Sequence, residues 1–236
     1  MGLFRGPNIV TDGLILYADP ANIKSNEGGI NMEDLMGNYT AETKTSTEMT
    51  IDGDPKIITS TGDGGNFRFL RTAGNIDWAT TEWSVSAWGL RDNSTARENR
   101  MWDLLNAGNG HLRLTLDAVP DLNFRPTAGS SNDLVSGGTS STGQWYNIVI
   151  TKSGTTSGGS ATYTMYNNGI SVASNSSTAL VTDANFNYIR IMRSADDDQG
   201  DTQSWDGDFG PFAVYNKVLT AGEVKQNYTA LKHRFI

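Results

Sequence analysis

Apolar and polar residues alternate with a period of two along most of the chain, as in strands that bury one face. In Trp83–Trp88 one face reads Trp83, Val85 and Ala87, and the other Ser84, Ser86 and Trp88. His111–Asp117 sets Leu112, Leu114 and Leu116 against polar neighbours. Gln144–Thr151 is more continuously apolar, as suits a central strand. Gly13–Tyr17, Ala161–Tyr166, Tyr188–Arg193 and Gly210–Tyr215 read as further strands. Asn167-Asn168-Gly169 is a tight-turn signal, because Asn-Gly readily takes positive φ at both central positions. It predicts that Tyr163–Tyr166 pairs antiparallel with Ile170–Ala173. Ser153–Ser160 and Ala128–Ser141 read as Gly/Ser/Thr loops, and residues 22–50 as loops with short strands. One helix is predicted near the C-terminus, closing over the end of the sandwich. There Thr220 and Glu223 have capping-box spacing, and Val224, Tyr228 and Leu231 share a helical face.

Composition sharpens the picture. Twenty-six glycines among many Ser, Thr and Asn residues would suit a disordered chain, but six Trp, eight Tyr and eight Phe supply a core. Strands joined by tight turns account for both, and 236 residues suffice for one two-sheet antiparallel sandwich. The expected division is an N-terminal arm over 1–12 and one sandwich over 13–236. The absence of cysteine excludes disulfides and thiolate metal sites. It fits folding in a reducing cytosol or building for an assembly. No apolar run has the length of a signal peptide or a membrane span, so neither export nor a membrane partner is expected. A formal charge of −8 argues against nucleic acid as partner.

Candidate chemistry is sparse. Glycoside hydrolysis needs paired carboxyl groups, yet no two of Glu27, Glu33, Glu42, Glu48, Glu82, Glu98 and Glu223 lie within four residues of each other. The histidines are His111 and His233 only, which leaves little for a catalytic triad. No enzymatic activity and no catalytic residue is expected. The acidic segment holding Asp196, Asp198 and Asp201 is the candidate calcium site, since calcium collects several loop oxygens. Asp198-x-Gly200-x-Thr202 is also a degenerate fragment of a sialidase Asp-box. Sugar binding asks for an aromatic ring beside amide or carboxyl groups. Trp102 with Asn106 and Asn109, and Trp205 with Asp206, are the candidates. The runs 68–71 and 91–100 are locally basic, and Phe4 with Arg5 is a candidate docking arm for a neighbouring subunit.

The order of these segments resembles the laminin-G-like, concanavalin-A-like lectin/glucanase jelly-roll superfamily. The resemblance rests on Asn8–Asp19, Trp83–Trp88, Gln144–Thr151, Met165–Gly169, Trp205–Thr220 and Glu223–Phe235. The opening NIVTDGLILYAD with the ending QNYTALKHRF is similar to the version found in structural proteins of tailed bacteriophages. The resemblance implies an all-β jelly roll with a short C-terminal helix. It also implies a virion component made in the host cytoplasm, as a capsid decoration protein or part of a fibre or baseplate. The expected partners are other virion proteins such as the major capsid protein, and further copies in a homo-oligomer. The alternative is a carbohydrate-binding module, calcium-assisted, attaching to surface glycans.

Overall fold

The computed structural model describes residues 7–44, 49–61, 66–71, 76–78, 80–92, 99–105, 111–116, 121–125, 135–155, 159–177, 185–186, 188–192 and 205–236. Two antiparallel sheets face each other. The first holds β1 (Leu14–Ala18), β3 (Met49–Gly53), β4 (Lys56–Thr61), β7 (Trp83–Arg91), β12 (Trp145–Gly154), β13 (Ala161–Asn167), β14 (Ile170–Ser177) and β17 (Asp206–Tyr215). Its order is β14-β13-β12-β7-β17-β4-β3, with β1 also on β17. The second holds β2 (Tyr39–Lys44), β5 (Asn66–Arg71), β8 (Asn99–Leu105), β9 (His111–Leu116), β10 (Asp121–Arg125), β11 (Val135–Thr139) and β16 (Tyr188–Ile191). Its order is β11-β10-β9-β8-β16-β5-β2. A two-residue pair, β6 (Ile76–Asp77) with β15 (Asn185–Phe186), stands apart.

The alternation does what it predicts. Val135, Phe124, Leu114, Trp102 and Ile191 are successive register partners across β11, β10, β9, β8 and β16. All five point inward and are essentially inaccessible. From the first sheet, Trp83, Val85, Ile148, Ile150, Tyr163, Met165, Phe212 and Val214 complete the core. Phe124 meets Trp83 and Tyr163 across the gap at ring separations of 6.2 and 5.4 Å. Asn168 (φ 51°) and Gly169 (φ 79°) form the expected hairpin turn, with Asn167 opposite Ile170 and Met165 opposite Ala173. The stretch read as a loop over 128–141 contains β11. That strand's Gly137 allows the two sheets to close at one edge, because a Cβ there would lie 2.9 Å from that of Ala173 on β14.

The central strands of the first sheet, β7, β12 and β17, are buried on both faces. β17 pairs with β4 through Asp206–Phe209 and with β1 through Phe212–Tyr215. Gly210–Pro211 marks the changeover, where proline has no N–H to give to a ladder. Outside this sheet lies helix α1 (Ala221–Leu231), followed by a 3-10 turn over Lys232–Arg234. The capping box is formed: Thr220 Oγ1 accepts from Glu223 N, and Glu223 accepts from Thr220 N. The helix covers the outer face of a sheet rather than the end of the sandwich. Its buried residues are Val224, Asn227 and Ala230, while Tyr228 and Leu231 are half-buried. Val224 joins Val10, Leu14, Val149, Tyr166, Ala213, Tyr215 and Leu219 in a second apolar cluster.

A closed ring of hydrogen bonds ties the helix down. Val10 N donates to Asn227 Oδ1 (2.7 Å), Asn227 Nδ2 to the Tyr215 hydroxyl (3.0 Å), and that hydroxyl to Val10 O (3.2 Å). All three residues are buried. Burial pushes the Tyr215 hydroxyl up to about 12, so it keeps its proton and stays a donor. Gln226 Nε2 adds a bond to Asn8 O, and Lys217 bridges Asp12 and Glu223. Further on, Arg234 grips Asp19 with two bonds of 2.7 and 2.8 Å, and Tyr17 OH donates to the same carboxylate. Burial alone would lower the Arg234 guanidinium, but Asp19 more than offsets it, so the cation is favoured. Of the arm expected over 1–12, the described part, 7–12, is thus bonded to the helix and to Lys217. Phe4 and Arg5 lie outside the described residues.

Two outcomes test this architecture. Leu114→Ala, which opens a hole at the centre of the inward row, is expected to cost about 2–5 kcal/mol in urea unfolding. Asn227→Ala strands the buried Val10 N–H and is expected to cost about 1–3 kcal/mol, where an exposed helix asparagine would cost little.

Candidate functional site

The tryptophans singled out for sugar stacking are core residues. Trp102 and Trp205 are both 0% exposed, so neither ring has a face to offer a ligand. Trp102 sits in the inward row, and Trp205 packs edge-on against Phe209 with Nε1 donating to Asp208 O. Burying a large ring removes more apolar surface from water than any other single placement, and the alternation on β8 turns Trp102 inward. Asp206 is half-buried at the start of β17. Its neighbour Asp208 accepts from Thr59 Oγ1 (2.7 Å), and burial, helped by Asp92 and Asp52, raises its carboxyl above the usual range. Asn106, Asn109, Asp196, Asp198 and Asp201 lie outside the described residues. Among the described residues no group of three or more His, Asp or Glu side chains is placed to hold a metal ion.

The locally basic run over 91–100 is bounded by buried residues: Arg91 and Arg100 are 4% and 2% exposed. Arg100 bonds Asp103 at 2.6 Å, and Arg190 is the register partner of Asp103 on the outward face of the second sheet. All three are buried, and a paired, desolvated charge set of this kind is a fixed structural feature rather than an open surface.

An aromatic groove lies where the helix meets the first sheet, and the alternation points to only part of it. Trp88 faces outward from β7, opposite Val85 and Ala87. Tyr228 of the helix stacks on it at 5.7 Å and 7° between planes, and Phe235 stacks beside it at 4.7 Å. Trp145, at the start of β12, meets the other side of Phe235 at 4.5 Å. Four rings therefore run in sequence: Tyr228, Trp88, Phe235, Trp145. Gly210 makes this possible, since a Cβ there would lie 3.0 Å from Phe235 and 3.1 Å from Trp88. Trp88 is the buried floor, 1% exposed, whereas the other three are half-buried and border an open cavity of about 570 Å3. That volume is within the range of small-ligand sites.

The groove's polar groups come from two turns. Asn168 spends Oδ1 on Asn147 N (2.9 Å), which leaves its Nδ2 to donate elsewhere. Gln144 is exposed, and Tyr146 OH accepts from Ser141 N (2.7 Å). The turn is pressed against the helix, because a Cβ on Gly169 would lie 3.2 Å from Tyr228 and 2.9 Å from Lys225. Lys225 and Lys232 stand 5.0 and 5.8 Å from the Tyr228 ring centroid. Partly exposed rings beside amides suit a ligand with both C–H faces and hydroxyl groups. A second cavity, of about 470 Å3, borders Asn26, Asp54, Lys56 and Arg234, but its cations are engaged: Lys56 donates to Asn26, and Arg234 holds Asp19.

Known proteins place the fold. Sialidase from Trypanosoma rangeli, solved with the inhibitor DANA, matches with a TM-score of 0.67 at 14% identity. The match covers 97% of this chain and 34% of the sialidase. The binding domain of botulinum neurotoxin serotype C1 matches with a TM-score of 0.68 at 14% identity, over 93% of this chain and 52% of that one. The binding domain of botulinum neurotoxin DC in complex with SialylT matches with a TM-score of 0.64 at 13% identity, with the same coverage. This chain thus spans about a third to a half of those solved chains. No curated protein sequence matches it. The family model described as the concanavalin A-like lectin/glucanases superfamily matches residues 61–225. The chain belongs to the concanavalin A-like lectin/glucanases superfamily, with the lectin-like jelly-roll architecture of that family.

Proposed function

We propose that this domain is a non-enzymatic glycan-binding module, displayed on the particle of a tailed bacteriophage. The observation that carries the binding reading is the run Tyr228, Trp88, Phe235, Trp145 beside Asn168 and Gln144. A pyranose ring lays its C–H face on half-exposed aromatics and gives its hydroxyls to neighbouring amides. This groove supplies both in a space of suitable size. The neurotoxin domain solved with SialylT and the sialidase solved with DANA are similar in fold, which supports the class of ligand and not its position. The non-catalytic part of the reading rests on the dispersed glutamates.

Placement on a phage particle rests on the resemblance of the two end segments. Their joint occurrence has a physical reason here: Val10 of one and Asn227 of the other belong to one hydrogen-bonded ring. A neighbouring subunit would find apolar surface on the edge strand β14, where Ile170 is 64% and Val172 37% exposed.

A glycan array run with and without calcium tests the binding reading. Binding is expected to fall at least tenfold, about 1.4 kcal/mol, in Trp145→Ala, and to be unchanged in a surface control such as Thr50→Ala. An array on which the folded protein retains no glycan would overturn it. Mass spectrometry of purified particles tests the placement: the chain is expected among the virion proteins, and its absence there contradicts it.

A further inference from the structure

The charge around the groove runs against the charge of the whole chain. The protein carries a formal −8, yet the helix edge of the groove presents Lys225 and Lys232, both exposed. They lie three residues before and four after Tyr228, so they share its helical stripe. Each ammonium sits within cation–π reach of the Tyr228 ring, at 5.0 and 5.8 Å, which holds both beside the groove. Neither lysine has a carboxylate partner among the described residues. The contrast with other cations is sharp: Lys217 bridges two carboxylates, Arg234 grips Asp19, and Arg100 holds Asp103. Glu223, on the same helix, is already engaged by Lys217 and the helix cap. Two ammonium groups without a carboxylate partner among the described residues therefore flank Tyr228, which itself lines the cavity together with Trp145, Tyr146, Phe235, Ile236, Asn168 and Gln144.

Resting on the glycan-binding reading of this groove, we infer that its ligand is an acidic glycan bearing sugar carboxylates. The sugar face packs on Trp145 and Phe235, Asn168 and Gln144 take hydroxyl groups, and the carboxylate meets Lys225 and Lys232. An acidic polymer is repelled by a chain of net negative charge at long range, and this repulsion is screened over about 8 Å at physiological salt. The two lysines supply the local attraction where the sugar docks. Selection between acidic and neutral sugars then rests on them, while affinity common to both rests on the rings.

The test uses matched probes on the full chain: oligogalacturonate against its methyl ester, and sialyllactose against lactose. At least one acidic member is expected to bind more tightly than its neutral counterpart. K225Q/K232Q is expected to lower affinity for that acidic member about three- to tenfold, as two exposed ion pairs allow, and to leave the neutral member unchanged. Raising salt from 0.05 to 0.5 M should reproduce most of the loss in the unmodified protein and little in the double variant. The unfolding midpoint of the double variant serves as the check on its fold. Equal binding of acidic and neutral members, sensitive to Trp145→Ala but not to K225Q/K232Q, overturns the acidic specificity and leaves the groove. Binding of none of the probes or other glycans overturns both.

Discussion

Everything on the outer face of the first sheet depends on one buried side chain. Asn227 uses both ends of its amide, accepting from Val10 N and donating to the Tyr215 hydroxyl, which returns a bond to Val10 O. An asparagine is the residue that closes such a ring, because it carries a donor and an acceptor at fixed separation. The ring is buried, so a missing member leaves a backbone N–H unsatisfied where water cannot replace it. It joins the opening segment to the helix across more than two hundred positions of sequence. The Arg234–Asp19 pair then fixes the turn after the helix, and with it Phe235. Helix, turn and β12 together make the aromatic groove, so a fold-closing contact is also what builds the candidate site.

The family's sandwich explains why the groove lies on that face. The inner faces are consumed by the core, where rings such as Trp83 and Phe124 pack across the gap. On the outward face of the second sheet, Arg100 and Asp103 are buried and paired. At the helix, Tyr228, Phe235 and Trp145 are only half-buried, over a buried Trp88. Trp88 lies under Tyr228 and Phe235, and Trp145 borders the opening. Partial cover of this kind leaves a ring face for a ligand without leaving a large apolar patch in water.

The sandwich was largely legible in the sequence, because alternation reports directly which residues face inward. β7, β12, β13, β16 and β17 fall where the pattern puts them, and Asn168-Gly169 takes the backbone its residue types favour. β11 was not legible: Val135-Ser136-Gly137-Gly138-Thr139 has turn composition, and its glycine serves the contact with β14. Residues 22–50 do form a loop and short strands as read, but the pin inside that loop was not legible: Asp34 accepts four backbone N–H bonds from Tyr17, Met36, Asn38 and Tyr39. A polar pin of that kind has no periodicity to betray it. The burial of the two tryptophans read as sugar platforms was not legible for a related reason. Type and neighbours made Trp102 and Trp205 look suited to a sugar, but only the packing distinguishes a core ring from a bordering one. The signal that was available is Trp88, an aromatic on the polar face of its strand, together with an apolar stripe on the helix that must cover something.

The central claim is that a sugar meets the protein beside Trp145 and not at the tryptophans of the core. The six indole N–H groups, of Trp78, Trp83, Trp88, Trp102, Trp145 and Trp205, give six resolvable nuclear magnetic resonance signals. During titration with a glycan that binds, the Trp145 signal is predicted to shift most, with a smaller response from Trp88 beneath the groove. Shifts centred on Trp102 or Trp205, with Trp145 unmoved, would contradict the account.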